Sequence, residues 1–441
     1  MKMHRINRII VLVAICVSFK GFSQQILTKS EAIALALENN YGIKTAKNNV
    51  ELAKNNADIL NSGYLPSLTG NAGATYNNDN IEAEFSNGET TTLTGAESSR
   101  YNAALNLNYT LFDGLGRHYN YKTLKEQSKL SELEARQTIE NTISQLLTVY
   151  FDVARNRENV ETLEKALLIS KNRLTRAQYQ FEYGQSNKLG VLNAEVDINN
   201  DSINIISAKQ LLDNSKRDLN VVLGNSLQKE FAVDTTVVFL LDLNKETLSS
   251  KFKANNVNLL QIEKNIAISN YTIKANKAAY LPTLGLTGSY GWNKNNNNSA
   301  SFLTVSTNTG LSAGLNLSWN IFDGGSAITR VKNAKIALEN QELQKQDVIL
   351  SLERDFNNAW DDYQNRLEIY NIQEANIVTA KNNFERTNEQ FKIGRSTSIE
   401  FRQAQLNLLN AQLSRNQAKY QAKTAEILVL QISGELLNYD L

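Results

Sequence analysis

The segment LNLNYTLFDG at residues 105–114 returns as LNLSWNIFDG at residues 315–324, with six of ten positions identical and an offset of 210 residues (315 − 105). In each copy apolar and polar residues alternate up to the shared Phe-Asp-Gly. Because successive side chains of a β-strand point to opposite faces, this period of two predicts a strand with one apolar and one polar face. A helical pattern without proline follows each copy for nearly seventy residues. The chain therefore switches from strand to very long helix twice.

The duplication extends to the turns around these segments. The tripeptide Tyr-Leu-Pro occurs at 64–66 and again at 280–282, and it contains the only two prolines of the chain. Proline disfavours helix at the residue before it, so both sites mark a change from helix to strand. Glycines at 184 and 394 interrupt the helical patterns with the same offset of 210 residues. We therefore predict two structural repeats, residues 24–224 and 255–441, joined by a connector over 225–254.

Each repeat is predicted to hold a helix, a pair of strands, a long helix and a shorter helix. The long helices carry apolar residues three and four apart, which is coiled-coil spacing. A helix of nearly seventy residues would be roughly 100 Å long and must pack along other helices. The predicted strands cover 67–77 and 101–111, then 283–293 and 311–321, with polar loops over 78–100 and 293–308. The predicted helices cover 117–183, 188–223, 327–393 and 397–433.

The charge balance excludes one class of partner. Lysine and arginine number 46 and aspartate and glutamate 45, so the formal net charge is +1, and no basic block stands out. Proteins that bind nucleic acid carry a concentrated positive patch. We expect no nucleic acid among the partners.

The first 23 residues are typical of a secretory signal peptide. A basic start is followed by an apolar run at 9–19 and by small residues before Gln24. The run is well short of the roughly 20 residues that a membrane-spanning helix needs. The only cysteine, Cys16, lies inside this segment, and Ile15 precedes it where lipoprotein processing normally takes Gly, Ala or Ser. Lipidation of Cys16 is the less favoured alternative, and mass spectrometry of the mature N-terminus separates the two.

About ten residues with one apolar and one polar side is the pattern of an outer-membrane barrel strand. Four such strands cannot close a barrel, since the smallest closed membrane barrels have about eight, and open edges are not tolerated in lipid. Copies of the chain must therefore share one barrel; two copies give eight strands and three give twelve, and a wide helical tube below favours three. The alternative is a non-transport coiled-coil protein of the periplasm, a structural spacer or adhesin stalk, which has no use for these strands.

The order of helix, Tyr-Leu-Pro, strand pair, Phe-Asp-Gly, long helix and glycine turn, present twice, resembles the TolC-like outer-membrane efflux proteins over residues 25–441. The resemblance implies a mainly α fold with membrane β: a homotrimer with a twelve-stranded β-barrel in outer-membrane lipid and a twelve-helix α-barrel in the periplasm of a Gram-negative bacterium. It also implies an exit duct of a tripartite efflux or secretion system. A periplasmic adaptor and an inner-membrane pump of the RND or ABC type would be its partners.

The resemblance also assigns roles to residues around the two glycine turns. In that family these turns form the periplasmic tip, where the tube is pinched and the adaptor binds. Family members often place carboxylates just after the turn; Glu400 holds one such place, whereas Gly190 and Gln403 stand where an acid is common, so the constriction would be less acidic here. The implied docking residues are Tyr183, Gly184, Gln185, Ser186, Val191, Leu192, Gly394, Arg395, Ser396 and Phe401. The implied constriction residues are Glu400, Arg402 and Gln403. The alternative for the charged residues Arg395, Glu400 and Arg402 is a solvated ion cluster at the helix end.

The sequence shows no catalytic constellation. Without its leader the chain has one histidine, His118, and no cysteine, which cannot make a zinc site of the usual kind. We therefore expect neither an enzyme nor a cofactor. The repeated Asp-Gly pairs at the strand-to-helix junctions, Asp113-Gly114 and Asp323-Gly324, are expected to cap the helices that follow rather than to act as acids.

Overall fold

The computed structural model describes residues 26–226, 230–240, 242–299 and 301–439. The predicted signal peptide, Gln24 and Cys16 lie outside the described residues. In chain order the elements are β1 (Ile26–Leu27), α1 (Lys29–Asn39), α2 (Tyr41–Asn56), β2 (Ser67–Glu84), β3 (Thr90–Phe112), α3 (Gly116–Glu182), α4 (Lys188–Leu223), β4 (Ala232–Val233), α5 (Lys245–Asn255), α6 (Val257–Lys277), β5 (Thr283–Asn296), β6 (Val305–Ser318), α7 (Ser326–Lys392) and α8 (Ser398–Ile432). Among these, no helix is both long and apolar enough to cross a membrane.

The chain forms two compact units. Unit 1 comprises the described residues up to Ala46, then Arg136–Val257, and the described residues from Ile349 onwards. Unit 2 comprises Lys47–Ala135 and Asn258–Val348. The long helices α3 and α7 therefore each contribute residues to both units.

Unit 2 contains one antiparallel sheet with the strand order β2-β3-β5-β6. The register pairs Leu68 with Leu107 and Leu286 with Leu315, so the apolar residues of all four strands share one face, as the alternation predicts. That face is open rather than buried: Leu68 and Leu317 each retain 67% of their exposure. The sheet therefore carries an uncovered apolar surface, and β2 and β6 have free edges within the described chain.

The first hairpin is longer than predicted. Strands β2 and β3 extend to a turn at 85–89, so most of the predicted loop over 78–100 is paired strand. The apolar alternation stops near residue 77, but the ladder continues because threonines such as Thr90 and Thr92 favour strands without needing an apolar neighbour. Strand β6 begins at Val305 and ends at Ser318, so residues 319–321, predicted as strand, lie outside it.

The predicted aspartate caps are present at both strand-to-helix junctions. Asp113 Oδ2 accepts the backbone N–H of Arg117 at 2.8 Å, and Asp323 Oδ2 accepts that of Ala327 at 2.8 Å. Gly114 adopts a φ of +67°, and a Cβ there would lie 2.6 Å from the carbonyl oxygen of Ala278. Backbone conformation and close packing together explain why this position holds glycine.

The core of unit 1 combines apolar packing with buried hydrogen bonds to the connector. The Tyr150 hydroxyl donates to the carbonyl of Leu27 at 2.7 Å and accepts the N–H of Asp234 at 3.0 Å. It therefore joins the parallel pair of β1 and β4 to α3. On α8 the fully buried Glu426 accepts the N–H of Leu240 at 3.0 Å. The predicted connector is thus held on the helices by specific polar contacts.

Candidate functional site at the paired glycine turns

Two glycines in the left-handed conformation end the long helices, both in unit 1. Gly184 has a φ of +70° after α3, and Gly394 has a φ of +78° after α7. The residue after each glycine closes the helix. The N–H of Gln185 donates to the backbone carbonyl of Gln180 at 2.7 Å, and the N–H of Arg395 donates to the backbone carbonyl of Gln390 at 2.8 Å. This is the Schellman arrangement. A Cβ at either glycine would meet nothing within 4 Å, so the positive φ alone accounts for glycine.

Glu400 caps the helix that follows the second turn. Its N–H donates to the Thr397 hydroxyl at 3.2 Å, and its carboxylate accepts the N–H of Thr397 at 2.8 Å, which together form a capping box. The Ser396 hydroxyl donates to the same carboxylate at 3.0 Å. The backbone hydrogen bond from Thr397, followed by that hydroxyl, lowers the pKa of Glu400, so the side chain is anionic at neutral pH. The carboxylate is exposed, and its position is fixed by the cap.

An aromatic cluster lies directly behind this turn. Phe401 is only 3% exposed; its ring stacks on Phe391 at 4.7 Å and contacts Phe384 at 5.6 Å. Arg176 lies 5.2 Å from the centre of the Phe391 ring and donates to the carbonyl of Lys392. Phe401 and the buried Val191, both predicted as docking residues, thus pack inside the chain. That part of the prediction is corrected, because apolar side chains next to a turn are needed to hold the helix pair together.

Arg402, predicted to line a constriction, is instead enclosed between helices. Its guanidinium makes two hydrogen bonds to the carboxylate of Asp201, at 2.8 and 2.9 Å. The side chains of Arg402 and Asp201 are 13% and 4% exposed. Arg402 also donates to the Ser170 hydroxyl at 3.1 Å. The prediction is corrected here because two residues distant in sequence fold onto this position: Asp201 on α4 pairs with the guanidinium, and Ser170 on α3 accepts a further hydrogen bond from it.

A second pair completes what we call the tip charge cluster. Arg173 on α3 forms an ion pair with Asp197, and Asp197 lies 3.5 Å from Arg402. Burial alone would lower the pKa of Arg402, but hydrogen bonds and charge from Asp201 and Asp197 outweigh it and raise that pKa. Each arginine of this group therefore faces at least one carboxylate across the helix interface. Gln405 accepts a hydrogen bond from Arg402 at 3.1 Å and donates one to the Ser170 hydroxyl at 2.9 Å. The cluster consists of Ser170, Arg173, Asp197, Asp201, Arg402 and Gln405.

Sequence reasoning missed most of this cluster, although a signal was present. Asp197 and Asp201 are four residues apart and so share one face of α4. Ser170 and Arg173 continue the three-and-four spacing of buried Leu163 and Ala166 on α3. Polar residues at core positions of a coiled coil indicate a specific partner in the facing helix.

The remaining predicted residues lie on the surface of the turns. Tyr183 is 77% exposed, and Gln403 is exposed and donates to Asn407 at 2.8 Å. Ser396 is half-buried, and its hydroxyl donates to the Glu400 carboxylate. The exposed docking candidates are Tyr183, Gly184, Gln185, Ser186, Leu192, Gly394 and Arg395.

The described residues contain no group of histidine, cysteine or carboxylate side chains arranged to hold a metal ion. His118, the single histidine after the predicted leader, lies in unit 2 with its Nδ1 3.3 Å from the Tyr64 hydroxyl. It is a packing residue of the helix that follows the first sheet junction.

Comparisons with known proteins agree on one family. The family model described as outer membrane efflux protein matches residues 32–225 and 248–435. The outer membrane efflux protein BepC of Brucella suis is 22% identical over 415 residues, covering 93% of this chain and 86% of BepC. The outer membrane protein TolC of Vibrio cholerae is 23% identical over 352 residues, covering 78% and 79%. The crystal structure of the CmeC outer membrane channel of Campylobacter jejuni superposes with a TM-score of 0.78 at 21% identity, covering 95% and 90%.

Proposed function

The chain belongs to the outer membrane efflux protein family, and from that premise we propose that three copies of it assemble into one exit duct. It is a channel of the outer membrane that extends into the periplasm. The four strands of each copy contribute to a twelve-stranded barrel in the lipid, and the helices of each copy contribute to a twelve-helix barrel in the periplasm. Substrates pass along the interior of the two barrels without chemical change.

The observation that carries the proposal is the open sheet of unit 2. Its apolar face is exposed, and the outer edges of β2 and β6, which pair with no other strand among the described residues, border it on both sides. In hydrocarbon each unsatisfied backbone group costs several kcal/mol, so both edges must pair with another strand. Pairing β6 of one copy with β2 of the next satisfies both edges and closes a ring. A spacer or adhesin stalk offers no reason for this surface.

Disulfide cross-linking tests the ring directly. Cys16, the only cysteine, lies in the predicted leader, so engineered pairs would be the only thiols of the mature chain. A disulfide requires Cα atoms about 4.4–6.8 Å apart, which only register partners in adjacent strands reach. The positions share the polar face of the sheet: Thr69 or Asn71 on β2, each combined with Ser312, Gly314 or Asn316 on β6.

We expect at least one pair to give covalent products that end at three chains, while each single-cysteine variant stays at one chain or forms dimers only. The products should appear in the outer-membrane fraction. Products that continue beyond three chains, or no product at any register, would contradict the trimer.

The partners proposed are a periplasmic adaptor at the glycine turns and an inner-membrane pump of the RND or ABC type beyond it. The exposed candidates Tyr183 and Leu192 support this site, because large apolar side chains on a polar surface favour protein contact. A photoreactive residue at Leu192 should capture a periplasmic adaptor in cells, whereas one at Leu168 on α3, which is more exposed than Leu192, should not. Equal capture at both positions would argue against a dedicated docking site. Glu400 and Gln403, exposed on α8, remain the proposed constriction residues.

A further inference from the structure

Basic residues concentrate at one edge of the sheet in unit 2. Because the sheet is antiparallel, β2 and β5 begin where β3 and β6 end. These four strand ends form a single edge that runs across the strands and is distinct from the free sides of β2 and β6. The chain segments that adjoin this edge hold eight basic and three acidic residues, a surplus of five positive charges per chain. The segments are 57–66, 113–125, 271–282 and 322–335.

The three acids at this edge are already occupied. Asp58 caps the short helix at 59–61, and Asp113 forms an ion pair with Arg117 at 3.2 Å. Asp323 caps α7 and lies 3.9 Å from the Arg330 guanidinium. Six lysines are left without a carboxylate partner in the described part of the chain, and all but the half-buried Lys122 are exposed. We call them the lysine belt: Lys122, Lys125, Lys274, Lys277, Lys332 and Lys335.

Tyrosine rings position part of the belt. Lys122 and Lys274 each lie 5.7 Å from the centre of the Tyr271 ring and 5.7–6.0 Å from that of Tyr119. The Nζ of Lys125 lies 4.4 Å from the Tyr121 ring. Cation–π contacts orient an ammonium group but leave its N–H donors free for oxygen acceptors. Aromatic rings beside lysines with long apolar stems are typical of the boundary between membrane and water.

The opposite edge of the same sheet has the reverse charge. Segments 79–100 and 293–305, where β2 and β5 end and β3 and β6 begin, hold five acidic and two basic residues. The sheet thus separates a basic edge next to the helices from an acidic edge at the hairpin turns. A difference of this kind favours different headgroups at the two surfaces of a membrane.

We propose that the lysine belt binds the phosphate groups of anionic phospholipids in the periplasmic leaflet of the outer membrane. This rests on the proposed placement of the strands in lipid. Lys122 and Lys335 follow the starts of α3 and α7 by six and nine residues, or roughly 9–14 Å of helix. The headgroup layer is roughly 5–8 Å thick, and a lysine side chain spans the remaining distance. At physiological salt a charge acts over about 8 Å, so the belt lies within reach of the phosphates.

Two tryptophans allow the leaflets to be read separately. Trp319 lies at the basic edge, where its indole N–H donates to the carbonyl of Tyr280 at 3.2 Å. Trp292 lies towards the acidic edge, on the apolar face of β5. Both are exposed, and Trp360 is the only other tryptophan. The variants W292F/W360F and W319F/W360F therefore keep one reporter each.

The experiment measures quenching of each reporter by brominated lipid, using the assembled protein in bilayers that mix phosphatidylglycerol with phosphatidylcholine. Brominating one lipid at a time gives the relative association constant of the anionic lipid. We expect Trp319 to report a preference for phosphatidylglycerol of about threefold or more and Trp292 to report none. The pair Lys122→Gln/Lys274→Gln should bring the Trp319 value towards one, and Lys122→Arg/Lys274→Arg should restore it.

A matched control removes two exposed lysines of α3 in unit 1, Lys165→Gln/Lys171→Gln, and should leave the preference unchanged. Equal preference at both tryptophans would overturn the proposal. So would a preference that survives loss of Lys122 and Lys274 while the ion selectivity of the channel shifts, because the lysines would then face the lumen. Absence of quenching at both reporters by any brominated lipid would instead remove the membrane placement of the strands.

Discussion

Replacing Asp201 with asparagine tests whether the tip charge cluster holds the end of the helix bundle together. The substitution keeps the shape of the side chain but replaces a carboxylate, whose two oxygens each accept a hydrogen bond from Arg402, with a neutral amide that has one acceptor oxygen. Breaking a buried ion pair on one side costs about 3–5 kcal/mol. Arg402 keeps 13% exposure and a second carboxylate, Asp197, at 3.5 Å. We therefore expect a cost below that range, about 2–3 kcal/mol.

Hydrogen exchange measures this loss where it occurs. A local cost of about 2–3 kcal/mol corresponds to opening that is about 30–150 times more frequent, since 1.4 kcal/mol is a factor of ten. Peptides from α4 around Asp201 and from α8 around Arg402 should exchange faster by this factor. The control Asp213→Asn removes an exposed carboxylate of the same helix and should leave exchange unchanged.

A second variant separates loss of pairing from loss of charge. In Arg402→Met/Asp201→Leu both partners become apolar, and replacing a buried ion pair in this way is often neutral. We expect exchange to return most of the way to the wild-type rate. Wild-type exchange in Asp201→Asn, or equal damage in the single and double variants, would refute the reasoning.

Three further predictions concern charge, buried hydrogen bonding and pH. Glu400→Gln keeps a side chain able to complete the capping box but removes its charge, so cation preference in single-channel recordings should fall; an unchanged preference would argue against a pore-lining carboxylate. Burial raises the pKa of Tyr150 to about 12, so its hydroxyl remains a donor. Tyr150→Phe removes the hydrogen bond to the carbonyl of Leu27, which should lower the free energy of unfolding by about 1–3 kcal/mol and be measured as a lower Tm. Burial opposes ionisation of Glu435, but hydrogen bonds from Lys251 and its neighbours outweigh burial and hold the pKa of Glu435 below the ordinary 4.5. The stabilising contribution of Glu435 is therefore full above about pH 4.5 and is lost as the pH falls further. In Glu435→Gln the Tm should depend less on pH in that acidic range than it does in the wild type.

The sequence identifies the helices and strands because its apolar residues follow two distinct spacings: every second residue in the strands, and three or four residues apart in the long helices. The pattern predicts a helix over 188–223, and α4 runs over Lys188–Leu223; the glycines at 184 and 394 do stand at the helix ends. The strands are less well bounded, since the apolar alternation marks only the part of a hairpin that needs an apolar face. The extension of β2 and β3 to the turn at 85–89 depends on backbone pairing, which polar residues make equally well.

The site at the glycine turns is only partly predictable from the sequence, because its residues are distant in the chain and come into contact only when the helices pack. The resemblance to the family places Glu400 and Arg402 at the turn together, but it does not tell which of them is paired. Their side chains differ in fate because Glu400 faces its own helix start, whereas Arg402, two residues on, faces Asp201 across a helix interface. Phe401 shows the same limit: its neighbour Phe391 belongs to another helix, and only packing reveals that it is buried.

The mass of the intact assembly, taken by native mass spectrometry after mild detergent extraction of the outer membrane, tests the shared barrel most directly. A shared twelve-stranded barrel predicts three copies of the mature chain, with a mass somewhat below 148 kDa (3 × 49.4 kDa, less the leaders). A single chain recovered from the soluble periplasmic fraction, or an assembly of any number of copies other than three, would contradict it.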